Sequence, residues 1–237
     1  MFIPATVEEL DDECLAKTKK LKNITISPLN KNIKYLDDDN KIIVGKSDPK
    51  EDVFDTIIFA NRDIERAIIP NHIKYIKNGS FKNYKHLKTI EISEDSQIVT
   101  FPDDLFTHSS IEYLFIPKSV EEIEDRWCSE SKNLTKVKIS PLNKNSNISK
   151  DDDNKIIVGK SDPKEDVFDT IIFANRDIER EIILKHIKYI KKCSFEHCER
   201  LKKIEFSKDS ELKVIDQDVF SNSSIESLSL PSKIEEI

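Results

Sequence analysis

IKYIKKCSFEHCERLKKIEF, from Ile187 to Phe206, carries two spacings at once. Its last six residues, from Leu201, read Leu, two variable residues, Ile, one variable residue, Phe. That alternation puts successive side chains on opposite faces of a short strand. Ahead of it, Ile190 is followed by four residues and then Phe195, a spacing that predicts a helical turn or 3₁₀ segment whose Phe plugs the core opposite the sheet. The strand motif recurs as LKNITI at Leu21, LKTIEI at Leu87, IEYLFI at Ile111, LTKVKI at Leu134 and IESLSL at Ile225. The second spacing recurs as Ile76 with Phe81, Phe101 with Phe106, and Ile215 with Phe220. One coil is about 23 residues, and Pro4, Pro70, Pro117 and Pro231 end their strands. A strand this short cannot bury its apolar side alone, so stacking coil on coil into a parallel ladder is the expected solution.

The coils are themselves copied. Residues Asp37 to Arg66 recur unchanged as Asp151 to Arg180, and FIPATVEEL from Phe2 aligns with FIPKSVEEI from Phe115. LKNITISPLNKN from Leu21 likewise aligns with LTKVKISPLNKN from Leu134. The expectation is one solenoid over residues 1–237, duplicated as 2–114 and 115–228 with the start of a third copy. Within the inserts, about 37–66 and 151–180, the apolar runs KIIV and TIIFA flank the polar loop KSDPKEDVFD. That pattern predicts a projecting β-hairpin, with an extra degenerate coil as the competing reading.

These residues resemble the leucine-rich repeats of BspA-like surface proteins, whose coil reads roughly L-x-x-I-x-I-P-x-S-V-x-x-I-G-x-x-A-F-x-x-C-x-x-L. Ile187 to Phe206 and FIPKSVEEI follow it, with Ser194 at the family's small-residue position and Cys198 at its cysteine. Lys77, Glu124, Lys191 and Asp216 stand where the family has Gly, and Trp127 with Cys128 replace its small-residue and Phe pair. The resemblance implies an α/β repeat, a right-handed leucine-rich repeat solenoid of short parallel strands, short helical or 3₁₀ turns and hairpin inserts. It also implies a surface antigen or adhesin at the cell surface that binds a host or matrix protein. An intracellular scaffold of the same fold, mediating protein–protein interaction, is the alternative.

Composition bounds the chemistry. With 38 basic and 45 acidic side chains interspersed and a net charge of −7, no basic face is expected for nucleic acid. Three glycines, Gly45, Gly79 and Gly159, are too far apart for a phosphate loop. Cys14, Cys128, Cys193 and Cys198 lack zinc-site spacing, the five histidines share no ligand spacing, and no serine or cysteine sits in a nucleophile elbow. No catalytic site, cofactor or metal is therefore expected. The acidic runs Asp37–Asn40 and Asp151–Asn154 lack the glycine and terminal glutamate of a calcium loop and read as solvated. No stretch is long and apolar enough for a membrane span, and the first twenty residues lack a signal pattern. Sequons at Asn23, Asn78, Asn133, Asn147 and Asn222 would admit glycosylation in a secretory lumen. The chain starts inside a coil at Phe2 and stops after V/I-E-E-I at Ile237 without a polar cap, which points to a fragment or to end-to-end self-association.

On such a strand the third and fifth residues of each six face solvent on the concave sheet. The rows so defined are Asn23/Thr25, Arg66/Ile68, Thr89/Glu91, Tyr113/Phe115, Lys136/Lys138, Arg180/Ile182, Lys203/Glu205 and Ser227/Ser229. Tyr113 and Phe115 are their one aromatic pair and lie beside lysines, the composition that interface hot spots favour. The candidate binding residues are accordingly Tyr113, Phe115, Lys136, Lys138, Glu91, Lys203 and Glu205. Glu181, at an inward position, predicts a bulge or register shift after the second insert.

Overall fold

The computed structural model of the chain describes residues 1–18, 20–21, 23–37, 39, 41–148 and 155–237. They form two compact units, one of Met1–Ile111 with Glu122–Ser131 and one of Glu112–Glu121 with Lys132–Ile237. In the first unit Phe2 pairs with Thr25 and Arg66 with Thr89, in parallel. In the second, Tyr113 pairs with Lys136, Arg180 with Lys203 and Lys203 with Ser227, also in parallel. The ladder step is thus the coil length read from the sequence. Alternation along each rung sorts the side chains: Ala67 and Ile69 are buried between exposed Arg66 and Ile68, and Leu114 and Ile116 are buried between half-exposed Tyr113 and Phe115. Burying each such Leu or Ile side chain stabilises by about 1.5–3 kcal/mol.

A second parallel ladder of two-residue strands runs beside the first. Thr100–Phe101 pairs with Glu122–Ile123 in the first unit, and Tyr189–Ile190 with Val214–Ile215 in the second. The sequence reading assigned these aliphatics to helical turns, and that is corrected: among the described residues there is neither an α-helix nor a 3₁₀ segment. The solenoid is therefore all-β rather than α/β. Each arc that carries a core Phe or, at residue 127, Trp instead holds two residues in the left-handed backbone region, four apart. The pairs are Gly79/Asn83, Asp104/His108, Arg126/Glu130, Cys193/His197 and Asp218/Asn222, and two such residues within one turn interrupt any right-handed helix.

Amide groups of the arcs alternate between turn bonds back along their own coil, as from Ser80 to Lys77 and from Lys82 to Gly79, and bonds to the next coil. Phe81 and Asn83 donate to the carbonyls of Leu105 and Thr107 at 3.2 and 2.8 Å, Phe106 and His108 to those of Trp127 and Ser129, and Phe195 and His197 to those of Val219 and Ser221. Lys77, Glu124, Lys191 and Asp216, at the family's glycine position, are not among the left-handed residues. The aromatic side chains of the arcs stack from coil to coil: in the first unit Tyr84, Phe81, Phe106 and Trp127 lie in sequence with centroids 5.7–6.2 Å apart. In the second, Phe195 and Phe220 lie 5.7 Å apart.

In each insert Ile42–Gly45 and Ile156–Gly159 run antiparallel to Thr56–Ala60 and Thr170–Ala174. The later strand also pairs in parallel, Thr56 with Tyr75 and Thr170 with Tyr189, so it forms the first rung of the second ladder. A Cβ at Gly159 would fall 2.4 Å from the Ile172 Cδ1, so a larger residue there would make the end of that side chain move. Glu181 needs no bulge: it pairs with Ile204 in unbroken register and is only half-buried, and the register shift lies instead between Ile157 and Val158. The polar loops are tied down alike. Ser47 donates through N–H and Oγ to the Asp55 carboxylate, and Ser161 does the same to Asp169 at 2.9 and 2.8 Å.

SPLN, common to both copies, also acts as a clasp. The Asn143 amide donates to the carbonyls of Pro117 and Val120 at 2.8 and 2.9 Å, while its Oδ1 accepts from the N–H groups of Asn145 and Ser146. Asn30 repeats all four bonds on Pro4, Val7, Asn32 and Ile33, but is more exposed than Asn143. Replacing Asn143 by Ala strands these backbone groups, so urea denaturation should show a loss of about 2–3 kcal/mol. Asn30→Ala should lose less. Burial works to raise the Asp169 carboxyl, but the Ser161 donors and Lys188 outweigh it and hold it below the ordinary range. A depressed carboxyl contributes stability above the unfolded value of about 3.9 and loses it as pH falls through its own lower value. The stability gap between the wild type and Asp169→Asn should be flat from about pH 5 to 7 and shrink below about pH 4, as read by thermal melting.

Candidate functional site

In the second unit, strand pairing sets Tyr113 opposite Lys136 and Phe115 opposite Lys138. The two rings are half-exposed, held upright by the buried Leu114 and Ile116 beneath the same strand, and both lysines are exposed. The Lys136 ammonium lies 6.0 Å from the Tyr113 ring centroid, at the outer reach of a cation–π contact. These four candidates therefore form one contiguous patch. Lys203 and Glu205 lie on another strand of the same unit and bind each other at 2.6 Å. Beside them an open hollow of about 590 Å³ is lined by Phe206, Ser227, Ser229 and Lys233. Glu91 belongs to the first unit, where Arg66 grips it with two bonds of 2.5 and 2.6 Å and holds its carboxyl below the ordinary range.

Two outward residues outside the candidate set are more exposed than the rings: Ile68 and Ile182, at matching positions of the two copies, at 59% and 54%. An aliphatic residue at the third strand position of a pair otherwise occupied by Arg was the available signal. The sequence also gave no sign of the buried cation Arg62. Its guanidinium sits over the Phe59 and Tyr84 rings, 4.8 and 4.5 Å from their centroids, and donates to the carbonyls of Leu15, Ala16, Thr18 and Lys82. Its neighbours occupy it as a clamp on the first turn of the chain. Arg176 stacks on Phe173 in the second copy at 4.6 Å.

The four cysteines are free thiols, three of them buried, and burial pushes the Cys198 thiol up, away from the thiolate form. Among the sequons, Asn23, Asn133 and Asn222 are exposed, whereas the Ser80 hydroxyl that follows Asn78 is buried in bonds to the Ile57, Ile58 and Lys77 carbonyls. The side chain of Asn147, and the acidic run Asp151–Asn154 with Asp38 and Asn40, lie outside the described residues. Of the first acidic run, Asp37 accepts from the Lys41 N–H and Asp39 pairs with the Lys41 ammonium. No helix among the described residues is long and apolar enough to cross a membrane.

Comparison with solved structures returns the same fold. The pneumococcal vaccine antigen PcpA superposes with a TM-score of 0.67 at 19% identity, over 98% of this chain and 51% of that one. A leucine-rich repeat protein of Eubacterium ventriosum ATCC 27560 gives 0.59 at 16% identity, over 99% and 56%. A leucine rich cell surface protein of Faecalibacterium prausnitzii A2-165 gives 0.58 at 16% identity, over 98% and 67%. The chain thus spans about half the length of the first two. No curated protein matches the sequence. Residues 53–151 and 167–237 match, in six copies, the family described as BspA type Leucine rich repeat region. With its repeating coils, paired ladders and aromatic arcs accounted for, the chain belongs to the BspA-type leucine-rich repeat family.

Proposed function

We propose that this solenoid is a non-catalytic protein-binding module that engages its partner through the outward rows of its four-residue parallel strands. The observation that carries the reading is the division of labour along each rung. Inward positions are almost uniformly aliphatic, while outward ones change from coil to coil and gather Tyr113, Phe115, Lys136 and Lys138 into one patch. A scaffold that holds side chains at fixed spacing on a rigid sheet supports recognition by shape and by a few anchors. Tyr113 and Phe115 are those anchors in this reading, and exposed Ile68 and Ile182 extend the apolar surface within their own units. A surface antigen or adhesin role for a host or matrix protein is the form of binding that fits the family, and PcpA and the F. prausnitzii protein are antigens or surface proteins of this fold.

Capture by the immobilised chain should separate a surface anchor from a merely covered ring. Tyr113→Ala with Phe115→Ala should lower partner retention by about tenfold or more, the effect of losing a hot spot, with the melting temperature near wild type. Undiminished retention would remove these residues from the interface. Labelling of intact cells with a membrane-impermeant reagent separates the adhesin from an intracellular scaffold, since the scaffold stays unlabelled.

A further inference from the structure

Charge on the outward rows is neutralised in place at Arg66 and Lys203 and, among the described residues, left open on Arg180, Lys136 and Lys138, of which the two lysines share one strand. Arg66 closes on Glu91, and Lys203 on Glu205. Lys136 and Lys138 meet no carboxylate within ion-pair range among the described residues, although acidic side chains outnumber basic ones by 45 to 38. As alternate residues of one strand they rise from the same face about 7 Å apart. Each has an aromatic ring opposite it on the neighbouring strand, Tyr113 for Lys136 and Phe115 for Lys138. Two ammonium groups beside two half-exposed rings form a surface whose complement is negative and partly apolar.

We propose that this patch receives an acidic segment of the partner protein, with carboxylates at alternate positions of an extended stretch and an aromatic or aliphatic side chain flanking them. The match is geometric as well as electrostatic. Alternate side chains of an extended segment share the roughly 7 Å repeat of Lys136 and Lys138, so both pairs close without bending either backbone. The flanking apolar residue covers Tyr113 and Phe115 and removes water from around the ion pairs, which strengthens them. Rows whose charges are already satisfied within the chain, such as Arg66 with Glu91, would have to break an existing pair to do the same. This inference rests on the docking reading above and adds the chemistry of the occupant.

The probe is a fluorescein-labelled heptapeptide with glutamate at its third and fifth positions and phenylalanine at both ends, compared by fluorescence polarisation with its glutamine twin. The glutamate peptide should bind the whole chain about tenfold tighter or more. Lys136→Glu with Lys138→Glu should abolish that preference, while the charge-matched reversal of exposed Lys185 and Lys208 preserves it and the melting temperatures of all variants agree. Equal binding of the twins, no binding of either, or a preference that survives the Lys136/Lys138 reversal overturns the proposal. Captured partners distinguish its failure from that of the docking reading. Retention lost with Tyr113→Ala, Phe115→Ala but indifferent to the lysine reversal sinks the acidic occupant alone, and retention indifferent to both sinks the two together.

Discussion

Everything in this chain depends on backbone hydrogen bonds that run from one coil to the next. Strands of two to five residues have no independent stability, and the arcs between them hold isolated turn bonds in place of the continuous internal bonding a helix would supply. The amides of Phe81, Asn83, Phe106 and His108 in one unit, and of Phe195 and His197 in the other, find acceptors only because another coil lies alongside. A buried amide left without that acceptor would cost about 1–3 kcal/mol. The apolar column of Phe and Trp rings enforces the same stacking, since each ring finds its neighbour in the adjoining coil.

The left-handed residues are the means by which the arcs stay flat enough for those bonds. Asn, Asp and His, whose short polar side chains tolerate this conformation, take most of the non-glycine positions, including Asn83, Asp104, His108, His197, Asp218 and Asn222. Arg126, Glu130 and Cys193 are held there by their surroundings, each at a local expense of about 1–2 kcal/mol. The chain's scarcity of glycine is therefore compatible with the fold, because the residues at the family's glycine position are not the ones that turn left-handed.

Coil length, strand positions and inward aliphatics were legible in the sequence because period-two alternation and a 23-residue step leave a direct trace in residue order. The arcs were misread as helical because an aliphatic followed five residues later by Phe fits one helical turn as well as it fits a short strand followed by a bend. Backbone handedness at Cys193 or Arg126 leaves no such trace in side-chain hydrophobicity. Glu181 misled in the other direction: partial exposure at the strand lets a carboxylate occupy a position that is fully buried at Ala67 in the first copy. The Tyr113/Phe115 row was visible from spacing alone. That Glu91 and Lys203 were already engaged, by Arg66 and Glu205, was not, because diagonal and same-strand ion pairs depend on side-chain reach as well as on which residues are present.

Thr56–Ala60 and Thr170–Ala174 each serve two structures, closing an antiparallel hairpin on one side and starting a parallel ladder on the other. Excising the loop strands would therefore deprive Tyr75–Ile76 or Tyr189–Ile190 of a hydrogen-bonded neighbour. Growth or shrinkage of such an array that keeps both ladders whole has to carry hairpin and coils together as a single module. The 114-residue offset between Asp37 and Asp151 is the size of that module, and it sets the natural unit for lengthening the protein by recombination.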